Sequence, residues 1–247
     1  MMENELCLNA DKTHFMVAGT SQRLLMTNPS ENAAVVMDGI SLEESEERKE
    51  KLLGVVFQPN LKWNAHIGEL QDKLKDRITG LIKTQKIVSM EFRKTLAEGL
   101  FLSVLTYCMP VWGGADQGGV QDLQVLQNRA AQLVLNLPPR SNRNLMYDKL
   151  NWMTVSQLVV YHSVIAVYRI RQSKEPEYLA DLLCRDNFRG RIVVPITDLT
   201  LCRKSFCFRA AEDWNSIPEA IRKIQKISSF KKEIRKWIKL RIQRFHE

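Results

Sequence analysis

Four cations, Lys73, Lys75, Arg77 and Lys83, ride on a segment in which Ile67, Leu70, Leu74, Ile78, Leu81 and Ile82 recur mostly at three- and four-residue steps. The apolar positions form the stripe of an amphipathic helix, and the opposite face is left to carry the charge. Lysine and arginine on one helical face bind phosphate backbones without regard to base sequence. Residues for covalent or acid–base catalysis do not gather in any comparable way. The histidines His14, His66, His162 and His246 are scattered, and no GxSxG, HExxH, P-loop or GxGxxG string occurs. Cys7, Cys108, Cys184, Cys202 and Cys207 are dispersed, odd in number and without a CxxC pair, so reduced thiols are expected rather than a zinc site or disulfides.

The chain that must position these groups has 247 residues, 45% of them hydrophobic, enough to bury a core in one or two domains. Its net charge of +8 favours anionic partners. The charge is uneven: residues 1–60 hold 5 basic and 10 acidic side chains, residues 201–247 hold 13 and 5. The most apolar stretch, Leu158 to Ile170, is short and interrupted by His162, Ser163 and Arg169, so no membrane span is expected. The opening Met1-Met2-Glu3-Asn4-Glu5 has neither a basic nor an apolar leader region, which points to an intracellular, cytoplasmic or nuclear protein and not a secreted one.

Phe15 to Ala18, Ala34 to Met37 and Leu52 to Phe57 are apolar runs separated by turn formers and predict strands of a small sheet. The acidic run from Ser41 to Glu50 predicts a solvated loop or helix turn. Beyond Pro59 the period becomes helical. After the helix that begins near Ile67, a second is expected from Phe92 to Tyr107 with Phe92, Leu96, Leu100 and Val104 in register, and a third from Val120 to Leu137, ended by Pro138-Pro139. Further helices are predicted at Asn144 to Leu150, Val155 to Arg171, Pro176 to Leu183 and Lys204 to Trp214. The last, from Ser228, is basic and amphipathic, with Phe230, Ile234, Trp237 and Ile238 among Lys231, Lys232, Arg235, Lys236, Lys239 and Arg241. Trp112, Trp152 and Trp214 fall at helix ends, where a large ring commonly closes a core. The mid-helix Gln127-Asn128-Arg129 is suited either to capping a neighbouring loop or to touching nucleic acid.

Several short strings stand in a fixed order along the chain: Asn9-Ala10-Asp11-Lys12-Thr13, Leu53-Gly54-Val55, Trp63 with His66-Ile67, Tyr107 with Trp112, Gln127-Asn128-Arg129-Ala130, and Trp214-Asn215-Ser216-Ile217-Pro218 followed by Phe230-Lys231. Taken together they resemble the C-terminal region of reverse transcriptases from non-LTR, LINE-type retrotransposons, and the resemblance spans nearly the whole chain. It implies a mainly α fold: a small α/β remnant of the palm at 1–60, thumb helices at 61–110 and a helical C-terminal domain at 111–247. It implies RNA and DNA, as a template–primer duplex, for partners. Lys12 matches a lysine able to settle charge on, or protonate, the leaving pyrophosphate, with Asn9 and Thr13 beside it at the nucleic acid. Leu53-Gly54-Val55 resembles a primer-grip strand, where Gly54 lets a nucleic-acid backbone approach. Lys73, Lys75, Arg77 and Lys83 become the phosphate contacts of the thumb.

One departure from the family bears on activity. A complete enzyme of this kind holds two Mg²⁺ ions on palm aspartates in an aromatic-Ala-Asp-Asp turn ahead of the Asn-x-x-Lys-Thr segment. No such turn occurs in this sequence, and neither Asp11 nor Asp38 lies in that setting. The chain is therefore expected to bind no metal cofactor, to need the polymerase region that carries those acids, and to be inactive alone. Two alternatives stay open: a non-catalytic interaction module that docks through its basic C-terminal helix, and a decayed gene product without a function.

Overall fold

The computed structural model describes residues 9, 13–27, 35–37, 39–44, 49–194 and 196–243. Among the described residues helix predominates and strand is sparse, which makes the fold mainly α. The chain divides into two compact units, 1–66 and 67–247.

The N-terminal unit holds β1 (His14–Phe15), α1 (Ser21–Thr27), β2 (Val35–Met37), β3 (Ile40–Glu44), β4 (Glu50–Leu52) and β5 (Val55–Phe57). β3 is central in a three-stranded sheet, parallel to β1 with His14 opposite Glu43, and antiparallel to β2 with Val35 opposite Leu42. Strand β3 occupies much of the acidic run for which a loop or helix turn is expected. Its alternation of Ile40 and buried Leu42 with Ser41 gives the sheet an apolar side that overrides the surplus of glutamates.

Leu52 to Phe57 is likewise two strands rather than one. β4 and β5 form a hairpin with Leu52 opposite Val55, and the two linking residues, Leu53 and Gly54, have φ of 48° and 82°. Left-handed backbone at both central positions is what a two-residue turn needs to match strand twist. Gly54 fills its position without strain.

The second unit is reached through α2 (Asn64–Thr84). α3 (Met90–Leu96) continues through a π-helical segment, Ala97–Leu102, into α4 (Ser103–Thr106). The register differs from the expected one: Phe92 and Leu100 are 53% and 47% exposed, whereas Ala97, Phe101 and Leu105 are fully buried. Both sets are spaced by four, so sequence spacing could not choose between them. The buried set continues one turn further to Met109 and Trp112, also fully buried, in the short helix α5 (Met109–Trp112). Arg93, which the register turns inward, donates to the carbonyls of Gln85, Val88 and Val134 at 2.9, 2.7 and 3.0 Å and so tethers the α2–α3 loop to the next long helix.

That helix is α6 (Gln117–Leu135), followed by α7 (Arg143–Leu150), α8 (Val155–Ser173) and α9 (Glu177–Leu183). Asn136 and Asn151, in left-handed conformation, cap the first two at their C-termini, and Thr154 with Gln157 closes a reciprocal capping box on α8. The single helix expected at Lys204 to Trp214 is broken. Ser205 is extended between α10 (Thr200–Lys204) and α11 (Phe206–Ser216), and its side chain accepts from the amide of Phe208. Gly114 packs directly beneath this break, where any Cβ would collide with the carbonyl of Lys204. The chain ends with α12 (Glu219–Arg222) and α13 (Ile227–Gln243).

α8 is the hub. α5, α6, α9, α11 and α13 all pack on it, and Val164, Val167, Ala210, Trp214, Phe230 and Ile234 meet in the core they enclose. Asp213 lies at its margin. Burial pushes this carboxyl up to about 6 although Arg209 and Arg241 pull it down. A folded value above the ordinary 3.8 means that folding takes up a proton. The residue thus favours the fold below about pH 4 and opposes it increasingly as pH rises through 6. Asp213→Asn is expected to raise the unfolding free energy measured in urea at pH 7.5 by on the order of 1 kcal/mol, and to change it little at pH 4. An equal change at both values would mean that the charge is not the cause.

Candidate nucleic-acid interface

Lys12 lies outside the described residues, as do Ala10 and Asp11. Asn9 is exposed, and its carbonyl accepts from the Thr13 hydroxyl at 2.7 Å, a local turn contact. Gly54 sits at the tip of the β4–β5 hairpin beside an 81% exposed Leu53. A hairpin tip differs from the strand interior that the resemblance implies, although its backbone is open to a close approach.

Lys73, Lys75, Arg77 and Lys83 are all exposed on α2, while Ile67, Leu70, Leu74, Ile78 and Leu81 are buried. The cations do not share one face. At roughly 100° per residue, Lys75 and Arg77 stand about 200° apart and flank the buried stripe from opposite sides. Glu69, Asp72, Asp76 and Lys83 fall between them on the far side, and Lys75 pairs with Asp72 at 2.9 Å. Lys73 and Arg77, one turn apart on the same flank, are the cation pair that the helix geometry brings together.

The ordered strings land on joints of the fold. Trp63 packs edge-on against Phe57 at 5.5 Å, and His66 Nδ1 accepts from the Val56 amide at 3.3 Å, so these two residues fasten the hairpin to the start of α2. Trp112 Nε1 donates to the carbonyl of Tyr107 at 2.8 Å across the kink before α5, and Trp152 Nε1 donates to Glu98 at 3.0 Å. Asn215 clamps Ile192 through both its backbone groups, accepting from the amide and donating to the carbonyl at 2.8 Å each. Trp112, Trp152 and Trp214 are all buried, as expected of core rings.

Gln127 is fully buried and donates to the Met153 carbonyl at 3.0 Å. Gln124, one turn earlier, accepts from the Val155 amide at 2.9 Å and donates to the Tyr147 hydroxyl at 2.6 Å. Burial raises the Tyr147 hydroxyl well above its ordinary range, so it stays protonated and donates onward to Asn128 at 3.0 Å. Of the two roles open to Gln127, loop capping is the one it performs. Arg129 remains exposed.

Much of the charge on α13 is engaged within the chain. Arg235 and Lys239 donate to the carbonyl and side-chain oxygen of Asn151 at 2.9 and 2.7 Å, and Arg241 donates to Ser216 at 2.6 Å with its guanidinium 5.1 Å above Trp237. The apolar face of the same helix is buried.

Periodicity and motif do not single out Arg185-Asp186-Asn187-Phe188-Arg189-Gly190-Arg191, which forms a pinned loop with a bare aromatic tip. Its signal in the sequence is the grouping of arginines around an aromatic, with Asn187 and Gly190 as turn formers.

Among the described residues no three His, Cys, Asp or Glu side chains converge where they could hold a metal ion. Among them, too, no single helix is long and apolar enough to cross a membrane. Compared with known proteins, the chain matches no family, no curated protein and no solved structure.

Proposed function

We propose that this chain is the nucleic-acid-binding part of an RNA-directed DNA polymerase of the non-LTR retrotransposon type, holding a template–primer duplex inside the cell, in cytoplasm or nucleus. In that role residues 1–60 are the end of the palm, 61–110 the thumb and 111–247 a helical C-terminal domain. Polymerisation then depends on Mg²⁺-binding carboxylates in a polymerase region outside this sequence, and the chain alone binds without extending a primer. Lys12 would act as an accessory to that centre.

The observation that carries the proposal is the ordered set of strings from Asn9 to Lys231. The residues of these strings secure helix starts, loops and core rings, which supports a shared scaffold. The chemistry of binding rests on the exposed cations, above all Lys73 and Arg77. Replacing both by glutamine is expected to weaken binding to an RNA–DNA duplex and to reduce the salt dependence of log K by up to about 2. Unchanged affinity and slope, by fluorescence anisotropy, would remove α2 from the interface.

The alternative in which α13 docks on a partner would use the cations left on its outer face, such as Lys232, with the helix in place. With Phe230, Ile234 and Ile238 in the core, deletion of 228–247 would unfold the chain rather than remove one partner's site.

A further inference from the structure

The loop between α9 and α10 holds an aromatic ring in solvent. Phe188 is 92% exposed, and nothing about its loop is slack. Asp186 bridges to Ile192, and the Asn187 amide donates to the Arg191 carbonyl at 2.8 Å. The Asn187 side chain accepts from the amides of Arg189 and Arg191 at 2.9 and 3.1 Å. The base is fixed as firmly: Arg171 makes a bidentate contact with Asp186 at 2.9 and 2.7 Å, Arg222 donates to the Gly190 carbonyl, and Asn215 clamps Ile192. The backbone on both sides of the ring is thereby held in place. The Arg189 guanidinium lies 5.1 Å from its centroid, presenting a π face and a cation together.

Beside the loop, and sharing Arg189 and Gly190 with it, is a cleft of about 350 Å³. Its lining includes five cations, Arg171, Lys174, Arg189, Arg222 and Lys223, against two acids, Asp186 and Glu219. Both acids are already paired, Asp186 with Arg171 and Glu219 with Lys223. Arg222 hydrogen-bonds to the neutral carbonyls of Ile217 and Gly190, while Glu219, within electrostatic reach of it, is ion-paired with Lys223, so the cations of the cleft still outnumber its acids. The cleft therefore has an uncompensated positive charge next to a stacking surface.

We propose that Phe188 and this cleft form a binding site for single-stranded nucleic acid, one unpaired base stacking on Phe188 and Arg189 while the adjoining phosphates enter the cleft. A duplex keeps its bases stacked on one another, so an exposed ring finds a free base face only on a single strand, and stacking there tolerates any base. The site rests on the nucleic-acid-binding function proposed above and adds a second surface to it, for the unpaired template beyond the duplex that α2 would hold.

The test uses the full chain, with a fluorescein-labelled unstructured RNA 12-mer and a blunt RNA–DNA duplex as separate probes, and anionic phosphatidylserine vesicles as a third. Phe188→Ala is expected to weaken the single strand about tenfold and the duplex less than twofold, with Phe188→Trp restoring the loss. Since the side chain lies in solvent, the alanine variant should keep the urea midpoint of the parent. Duplex binding without single-strand binding, or equal binding of the 12-mer by parent and alanine variant, overturns this site and leaves the duplex function standing. Vesicle binding that depends on Phe188, in place of RNA binding, overturns it in favour of a membrane surface. Failure to bind either nucleic acid overturns both.

Discussion

Phe230→Ala is expected to lower the stability of the helical unit by about 3–5 kcal/mol, the cost of a large cavity in a core that cannot fully close around it. Phe230 is completely buried, stacked on Tyr168 at 4.3 Å and 5.9 Å from Trp214. It is thus the point at which α13, α8 and α11 meet. With a total stability of roughly 5–15 kcal/mol for a domain of ordinary size, such a loss consumes much of what is available. The urea midpoint should fall steeply while the slope of the transition stays constant; a shift below about 1 kcal/mol would mean that α13 is not part of the core. The same reasoning bears on truncation, because a chain shortened before Phe230 would lose nucleic-acid binding through unfolding and so report nothing about the cations of α13.

Gln124→Met is the second large effect, expected to cost about 3 kcal/mol although the side-chain volume is conserved. The substitution leaves the fully buried Val155 amide without its acceptor and the Tyr147 hydroxyl without its donor. Stranded buried groups of this kind cost about 1–3 kcal/mol each. Gln127→Met strands the Met153 carbonyl and removes one of the three partners of the Gln124 side-chain amide, which keeps Asn128 and Tyr147, so about 1–2 kcal/mol is expected there. The ordering of the two variants in urea unfolding is the check. Equal and small effects would show that the network is replaceable by simple packing.

The long helices were legible because their apolar residues recur over many turns: α2, α6, α8 and α13 lie close to where periodicity places them, and the three helix-end tryptophans are buried as their size and position imply. Shorter signals fared worse for identifiable reasons. Leu53 carries no turn signal, yet it takes a left-handed conformation in the β4–β5 hairpin, where pairing of Leu52 with Val55 leaves it no other. In the second helix two stripes shared one spacing, and the π-helical segment with the inward Arg93 belongs to the stripe that begins at Ala97. Ser205 interrupts the helix expected there by capping a new one at Phe206, and the helical spacing on both sides of it hides the break.

The site was less legible than the fold. Gln124 and Gln127 are polar, and polar residues on a helix suggest solvent; only the neighbouring α7–α8 loop makes them interior. The dispersal of the α2 cations follows from helix geometry, and the structure adds that they are exposed and that Lys75 is paired with Asp72. Phe188 carries no periodic or motif signal in the sequence, and its exposure appears only in the folded loop that Asn187 ties together. Recurring strings therefore reported how the chain is joined, and the surface charge available to a ligand had to be found by asking which cations the fold had already used.

The central claim is electrostatic binding of a template–primer duplex, and its most direct test is the affinity of the intact chain for a labelled RNA–DNA duplex from 50 to 300 mM salt. Log K is expected to fall linearly with log salt, with a slope of roughly −2 to −4 for a few phosphate contacts. Absence of binding at the lowest salt, or an affinity that does not change across the series, would contradict it.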